Sequence, residues 1–278
     1  MAILVDFSQI VIGSYMMAAK YADADMDAIR PGVLNTLRIY RNKFTNEYGE
    51  LILCCDDRYT WRKEIFPNYK ASRKKTRKSS GIDWQNLYDC LNKLKDELRT
   101  WFPYKLIQVE KAEADDVIAT IVDLLDERTL ILSSDKDFIQ LQKFNVRQYS
   151  PVQKKFIEDE TAERSLHEKI IRGDVGDGIP NIMSDDNVFV DEGRRQKPIT
   201  KKKVDAWYDL DPKMFCSSEM LRNYNRNKQL VDLGELPDTI RINITNQYKN
   251  TEVGDRKRLL TYFVNHRLKN LTENLSEF

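Results

Sequence analysis

At 278 residues, 41% of them hydrophobic and 32% charged, the chain can form one large domain or a catalytic domain with an appendage. That mix excludes a disordered chain, a collagen and a disulfide-stapled module. Lys and Arg number 45 against 44 Asp and Glu, a formal net charge of +1, and no apolar run approaches the roughly 20 residues of a membrane span.

In chain order, short apolar runs at 2–5, 51–55, 104–109, 129–133 and 145–148 read as strands covered on both faces. Helical stripes lie between them at 33–44 (Val33, Leu34, Leu37, Tyr40, Phe44), at Leu87, Leu91, Leu94, Leu98 and Trp101, and at 113–125. Such alternation predicts an α/β fold with a mostly parallel central sheet flanked by helices. After about residue 160 the strand signals stop, and helices are expected at 162–172, 201–208, 217–227 and 256–268. The predicted organisation is therefore an α/β core over 1–160, carrying a basic insertion at about 58–81, and a helical region over 161–278. The glycine-rich run from Arg172 to Pro180 is a turn. The polar, aperiodic stretch 183–198 reads as a mobile loop, and 71–81 is too basic and too poor in apolar residues to expect order in the free protein.

No basic n-region precedes the first strand, so no export is expected. Cys54, Cys55, Cys90 and Cys216 lack the spacing of a bridge framework or a zinc site, and His167 and His266 are the only imidazoles. A reducing compartment follows.

The charges are segregated. From Arg58 to Lys78 nine basic residues face only Glu64; a second basic run holds Arg194, Arg195 and Lys197, then Lys201, Lys202 and Lys203. Acids gather where strands end: Asp6 after the first, Asp56 and Asp57 after the second, Glu113, Asp115 and Asp116 after the third, Asp135 and Asp137 after the fourth. In a parallel sheet these ends share one edge, the crevice where such folds bind ligands. Any one Asp after a strand is as readily a helix cap. Carboxylates crowded within one helical turn, however, repel and call for a positive partner. An all-oxygen donor set favours Mg²⁺ or Mn²⁺ over zinc. The surplus of acids suggests two ions, and ions roughly 4 Å apart clamp a phosphoryl transfer. Asp174 and Asp177, in the glycine-rich turn, are either a simple turn or two further ligands.

Taken in order, the runs Leu4-Val5-Asp6-Phe7-Ser8-Gln9, Cys54-Cys55-Asp56-Asp57, Tyr69-Lys70-Ala71-Ser72-Arg73, Glu113-Ala114-Asp115-Asp116, Ser133-Ser134-Asp135-Lys136-Asp137 and Gly173-Asp174-Val175-Gly176-Asp177-Gly178-Ile179-Pro180 resemble the structure-specific 5′-nucleases. That family includes flap endonucleases and the 5′-nuclease domain of bacterial DNA polymerase I, and the similarity is greatest to its T-even-phage ribonuclease H branch. It spans nearly the whole chain.

The resemblance implies a PIN-like core with a helix–hairpin–helix-like element in the helical region. It also implies a two-metal phosphodiesterase acting 5′→3′ on RNA primers and 5′ DNA flaps in replication. Asp6, Asp56, Glu113, Asp115, Asp116, Asp135, Asp137, Asp174 and Asp177 would line its metal site, with Asp6 and Asp135 central to catalysis. The basic insertion matches the family's arch, where Lys70 and Arg73 would act on the scissile phosphate. Arg62, Tyr69, Lys74 and Lys75 would contact the strand, Tyr69 by stacking on a base. Arg194, Arg195, Lys201, Lys202 and Lys203 would grip the duplex backbone. After Pro180 the family's small-residue turn is replaced by Asn181-Ile182-Met183-Ser184-Asp185-Asp186, which puts its K⁺ site in doubt.

Expected partners are branched or flapped DNA and RNA–DNA duplexes. A sliding clamp or single-strand-binding protein is a further candidate partner, but no sequence feature marks a dock. A monomer in the cytoplasm is expected, that of the host cell if the gene is a phage's. The competing readings are a PIN-type single-strand ribonuclease and a non-catalytic junction binder. A haloacid-dehalogenase-type phosphatase is excluded because Ser8 stands where its second Asp is needed.

Overall fold

The protein's structure, a computed structural model, describes residues 1–21, 24–159 and 161–278. Along the chain run β1 (Ala2–Asp6), α1 (Phe7–Ala18), α2 (Met26–Tyr48), β2 (Leu51–Cys54), α3 (Arg62–Ile65), α4 (Arg73–Ser79), α5 (Trp84–Trp101), β3 (Lys105–Ile107), α6 (Ala114–Leu124), β4 (Thr129–Leu132), β5 (Val146–Ser150) and β6 (Lys155–Ile157). Then come α7 (Ala162–Arg172), α8 (Lys201–Trp207), α9 (Pro212–Phe215), α10 (Ser218–Val231), α11 (Asp238–Asn250), α12 (Leu259–Asn265) and α13 (Lys269–Thr272). They form two compact units: Met1–Arg58 with Asp83–Glu158 and Asp238–Phe278, and Tyr59–Ile82 with Asp159–Pro237.

The first unit holds a six-stranded sheet in the order β3-β2-β1-β4-β5-β6. Five strands run parallel and β6 pairs antiparallel with β5. The fold class is the expected one, α/β with a mostly parallel sheet. β1 and β4 lie at the centre and are buried nearly throughout, which is why their residues form apolar runs without alternation. The stripe on α2, that on α5 as far as Leu98, and the first turns of α6 are buried, as the periodicity predicts, while Trp101 is half-buried. β6 gave no strand signal, because its three residues leave no room for a pattern. Among the described residues, no helix is long and apolar enough to cross a membrane.

The last residues complete this core. Phe278 is fully buried, with its ring centroid 5.0 Å from that of Phe263 and 5.9 Å from that of Phe102. Arg41 donates to the carbonyl oxygen of Glu277 at 3.0 Å, and Arg38 pairs with the Glu277 carboxylate.

The second unit packs α7, α10 and the turn residue Ile179 around Phe66 and Tyr69. Gly173 has φ +67°, and a Cβ there would come within 2.2 Å of the Ile179 carbonyl oxygen, so only glycine fits. Two local expectations are corrected. Residues 73–79, expected to lack order, form α4, although none of its side chains is buried. Arg73 anchors its first turn, donating to the Gly176 carbonyl at 3.2 Å and to Asp177 at 2.5 Å. Residues 183–198, expected to be a mobile loop, are stapled by polar side chains. Asn181 Oδ1 accepts from Met183 N at 3.0 Å and Ser184 Oγ at 2.9 Å, while its Nδ2 donates to the Lys197 carbonyl at 2.8 Å. Asn223 donates to the carbonyls of Ile182 and Ser184, and Asp186 pairs with Arg222 and Arg226. Hydrophobic periodicity carries no trace of such a network.

Because the Phe278 ring is enclosed by aromatics, Phe278→Ala should cost about 3–5 kcal/mol of stability. Chemical denaturation measures this; a change near zero would mean that the tail does not dock.

Candidate metal centre and basic surface

In the first unit the parallel strands deliver their acids to one edge. Asp6 ends β1, in register with Cys54 of β2, and Val5 pairs with Leu132 of β4, so the chain after each of these strands leaves the sheet on the same side. Each acid also caps a helical turn. Asp6 Oδ1 accepts from Gln9 N at 3.3 Å, Asp135 Oδ1 from Asp137 N at 3.0 Å, and Glu113 and Asp116 form a reciprocal capping box at the start of α6. Asp56 Oδ1 accepts from Ala114 N at 2.9 Å, tying the end of β2 to α6. The capping and the ligand readings thus fall on the same residues.

Capping does not remove the repulsion. Burial pushes the Asp6 carboxyl up from the ordinary 3.8 to about 7, with further upward pressure from Asp56 and a smaller contribution from Asp135. The bonds from Gln9 N and from Ser133 Oγ, at 3.0 Å, offset this only in part. Among the described residues, no three acids are arranged to hold one ion. Asp6, Asp56, Asp116 and Asp135 are turned onto helix N–H groups and hydroxyls. The chemistry of the donor set nevertheless fits a hard divalent cation: oxygen donors alone, on strand ends, around a carboxyl that burial, with the neighbouring charges of Asp56 and Asp135, keeps protonated. Glu113 and Asp116 are buried, whereas Asp115 and Asp137 are half-buried in the first turns of their helices. Neither histidine joins them; His266 follows α12 against Tyr262, and His167 belongs to the other unit.

Three polar residues that sequence reasoning treated only as motif spacing organise this edge. Ser8 Oγ donates to Asp56 Oδ2 at 2.5 Å. Gln9 bridges β1 to the chain after β4, donating to Ser133 Oγ at 3.3 Å and accepting from Ser134 N at 2.8 Å. Ser133, fully buried, accepts from Asp135 N at 3.1 Å while donating to Asp6. Their signal was present in Asp6-x-Ser8-Gln9 and Ser133-x-Asp135, but only as sequence neighbours of acids.

In the second unit Asp177 is the hub of the basic stretch. Tyr69 Oη donates to its Oδ2 at 3.1 Å, Arg73 pairs with Oδ1, and Lys70 Nζ stands 3.9 Å away. The Lys70 backbone N–H donates to the Asp177 carbonyl at 2.7 Å, holding Lys70 at φ +57°. Asp174 pairs with Lys169 at 2.8 Å, and this charge draws its carboxyl below the usual range despite burial. Arg62 and Tyr69, expected to touch a strand, lie inside the unit. Arg62 is buried, with Nε donating to the Leu230 carbonyl at 2.9 Å and its guanidinium over the Trp61 ring, and Tyr69 sits among Phe66, Ile170 and Ile179. An arginine and a tyrosine beside so many cations read as surface, but the buried last-turn carbonyl of Leu230 on α10 and an apolar gap claim them. Lys74, Lys75, Arg194, Arg195, Lys201, Lys202 and Lys203 are exposed. Arg194 pairs with Asp185 and Asp191.

Residues 1–170 match the family described as the 5′-3′ exonuclease N-terminal, resolvase-like domain, and residues 160–278 match the T4 RNase H C-terminal family. The chain is 32% identical over 291 residues to ribonuclease H of Enterobacteria phage T4, covering 99% of this chain and 95% of that protein. It is 27% identical to the flap endonuclease Xni of Shewanella denitrificans over half of its length and 56% of the relative's. Its fold is similar to that of a bacteriophage T5 flap endonuclease solved as a pseudo-enzyme-product complex with DNA and metal ions. That likeness has a TM-score of 0.61 at 16% identity, over 90% of this chain and 97% of the other.

Two outcomes follow from the geometry. Asp6 keeps its proton to about pH 7 when folded but only to about 3.8 when unfolded, so the folded state binds more protons between these values. Its effect is a penalty, absent below about pH 4, growing as pH rises and complete above 7, where it reaches about 4 kcal/mol. In EDTA, Asp6→Asn should therefore raise the melting temperature at about pH 8, with the gain shrinking towards pH 4. A gain independent of pH would contradict the burial and charge assigned to Asp6. Separately, Asp177→Ala should destabilise the second unit by about 2 kcal/mol, the scale of hydrogen bonds to a charged group, and speed tryptic cleavage within 62–81. Unchanged cleavage there would remove Asp177 as the hub.

Proposed function

The chain belongs to the 5′-3′ exonuclease family, with a C-terminal region of the T4 RNase H kind, and on that premise we propose a divalent-metal-dependent 5′→3′ exonuclease and flap endonuclease. Its substrates are RNA primers on DNA and 5′ DNA flaps, in replication within the cytoplasm, that of a phage's host. The observation that carries the reading is Asp6: a strand-end carboxyl flanked by Asp56 and Asp135 and kept protonated to about pH 7. That arrangement is costly in the absence of a cation and useful in its presence.

Asp6, Asp56, Asp116 and Asp135 would hold the ions, two Mg²⁺ with Mn²⁺ as substitute, assisted by Glu113, Asp115 and Asp137. Bound there, the ions would supply charge stabilisation at the scissile phosphate and activation of water. Ser8, Gln9 and Ser133 hold Asp6 and Asp56 at the sheet edge, and these carboxylates would turn from those partners towards the ions on binding. Lys70 and Arg73 would neutralise phosphate charge by exchanging Asp177 for the substrate, which makes Asp177, with Asp174, a counter-charge as well as a candidate ligand. Lys74 and Lys75 would follow the single strand. Arg194, Arg195, Lys201, Lys202 and Lys203 would meet the duplex backbone, where charge and reach suffice. The buried tail around Phe278 packs into the core, so a sliding clamp or single-strand-binding protein would need another surface.

A time course on a 5′-labelled flapped duplex, with and without Mg²⁺, tests the reading. Asp135→Asn should abolish cleavage and spare duplex binding, and Mg²⁺ should raise the melting temperature of the wild type but not of that variant. Lys70→Ala should slow single-turnover cleavage by about ten- to several-hundredfold, the scale of losing one electrostatic stabiliser. Cutting of plain single-stranded RNA in preference to the flap would favour the PIN-type reading. Tight binding without turnover would favour a junction binder.

A further inference from the structure

Unlike the other parallel strands, β5 delivers no acid to the edge of the sheet; it ends in Ser150. Its third residue is Gln148, paired with Ile131 of β4 and Ile157 of β6 and fully buried. An amide buried in a sheet costs free energy unless its polar atoms are paired. Here both donors and the acceptor are. Gln148 Nε2 donates to the Ser133 carbonyl at 3.0 Å and to the Asp135 carbonyl at 2.6 Å, while its Oε1 accepts from Gln142 Nε2 at 3.0 Å. Gln142 also donates to the Ile157 carbonyl at 3.1 Å. This set fixes the orientation of the amide, because a flipped Gln148 would set its oxygen against two carbonyl oxygens.

The two carbonyls flank Ser134, so one side chain grips both ends of the turn that carries Asp135. The middle of that turn is tied separately: Ser134 Oγ lies 2.7 Å from Ser150 Oγ, and Ser134 N donates to Gln9 Oε1. The Asp135 side chain is itself exposed, so it inherits its place from the backbone beneath it. Ser133 carries the constraint to the neighbouring strand, donating to Asp6 Oδ2 while accepting from Asp135 N. Because Gln148 holds peptide groups, the carboxylates stay free to turn towards an ion.

Packing alone does not call for an amide here; an aliphatic side chain would fill the same strand position without needing partners. We propose that Gln148 is a positioning residue for the metal centre, its carboxamide setting the 133–135 turn and with it the separation of Asp135 from Asp6. The inference rests on the reading of these two acids as ligands. Groups that orient metal ligands from behind are commonly worth roughly 10–100-fold in metal affinity or activity.

Mn²⁺ binding, measured by electron paramagnetic resonance without substrate, tests this apart from cleavage. Gln148→Met keeps the volume and removes both donors. It should bind Mn²⁺ about tenfold more weakly and lower kcat on a flapped duplex about a hundredfold, with KM unchanged. Gln142→Ala, at a half-buried position, strips the partner of Gln148 Oε1 and should weaken Mn²⁺ binding about threefold, the scale of one hydrogen bond. A lower melting temperature with unchanged Mn²⁺ affinity and kcat would make Gln148 merely structural and overturn the proposal. Should Gln148→Met not fold, Gln142→Ala decides alone, and wild-type affinity in it again counts against the proposal. A wild type that binds no Mn²⁺ sinks the metal reading together with this one, whereas equal binding by wild type and variants sinks this one only.

Discussion

Burial of the Asp6 carboxyl beside other acids, at the C-terminal edge of the parallel sheet, is the constraint around which the first unit is built. Strand ends bring Asp6, Asp56 and Asp135 close enough for the charges of the last two to act on the first, in surroundings that already disfavour ionisation. Hydrogen bonds from helix N–H groups, from Ser8 and from Ser133 soften the conflict without ending it. Neutral Ser, Thr or Asn would cap the same turns without the charge. Retaining Asp6 costs stability at neutral pH, a cost that a bound cation would offset.

The sheet was legible because its strands are short, apolar and interrupted at regular intervals by helical stripes, so a two-state choice between periods sufficed. The acids were legible for a related reason: a parallel topology turns "after a strand" into "at one edge". What stayed hidden was anything that depends on which way a polar side chain faces. Nothing in the order of letters tells that Gln9 reaches across to Ser133 and Ser134, or that Arg62 points inward to the carbonyl of Leu230. Composition was misleading at 71–81 and 183–198, where tertiary hydrogen bonds replace the missing apolar contacts. Asn181, Asn223 and Asp186 perform there what leucines perform in α5, and an asparagine carries no periodic signature.

Asp177 shows how the second unit keeps dense positive charge stable. One carboxylate answers Tyr69, Lys70 and Arg73 together, and its backbone carbonyl holds the N–H of Lys70. Any phosphate that recruits Lys70 or Arg73 competes with that carboxylate. The exchange of one oxyanion for another is close to neutral in energy for the cations, but it strands Asp177, a half-buried negative group. A cation arriving with the phosphate removes that penalty. If Asp177 takes a cation, phosphate capture and cation binding would be linked through a single side chain, and by reciprocity each would strengthen the other by the same factor.

The same logic separates the two groups of lysines on the basic stretch. Lys70 is already satisfied and three-quarters or more buried, with 21% of its side chain exposed, so its engagement is an exchange whose strength depends on what else is bound. Lys74 and Lys78 line a groove without an acid, so a phosphate there replaces only water and counter-ions, and its contribution should be salt-dependent but indifferent to divalent metal. A strand entering this unit would therefore meet two kinds of positive charge in sequence: one that attracts any polyanion, and one that yields only when Asp177 has another partner.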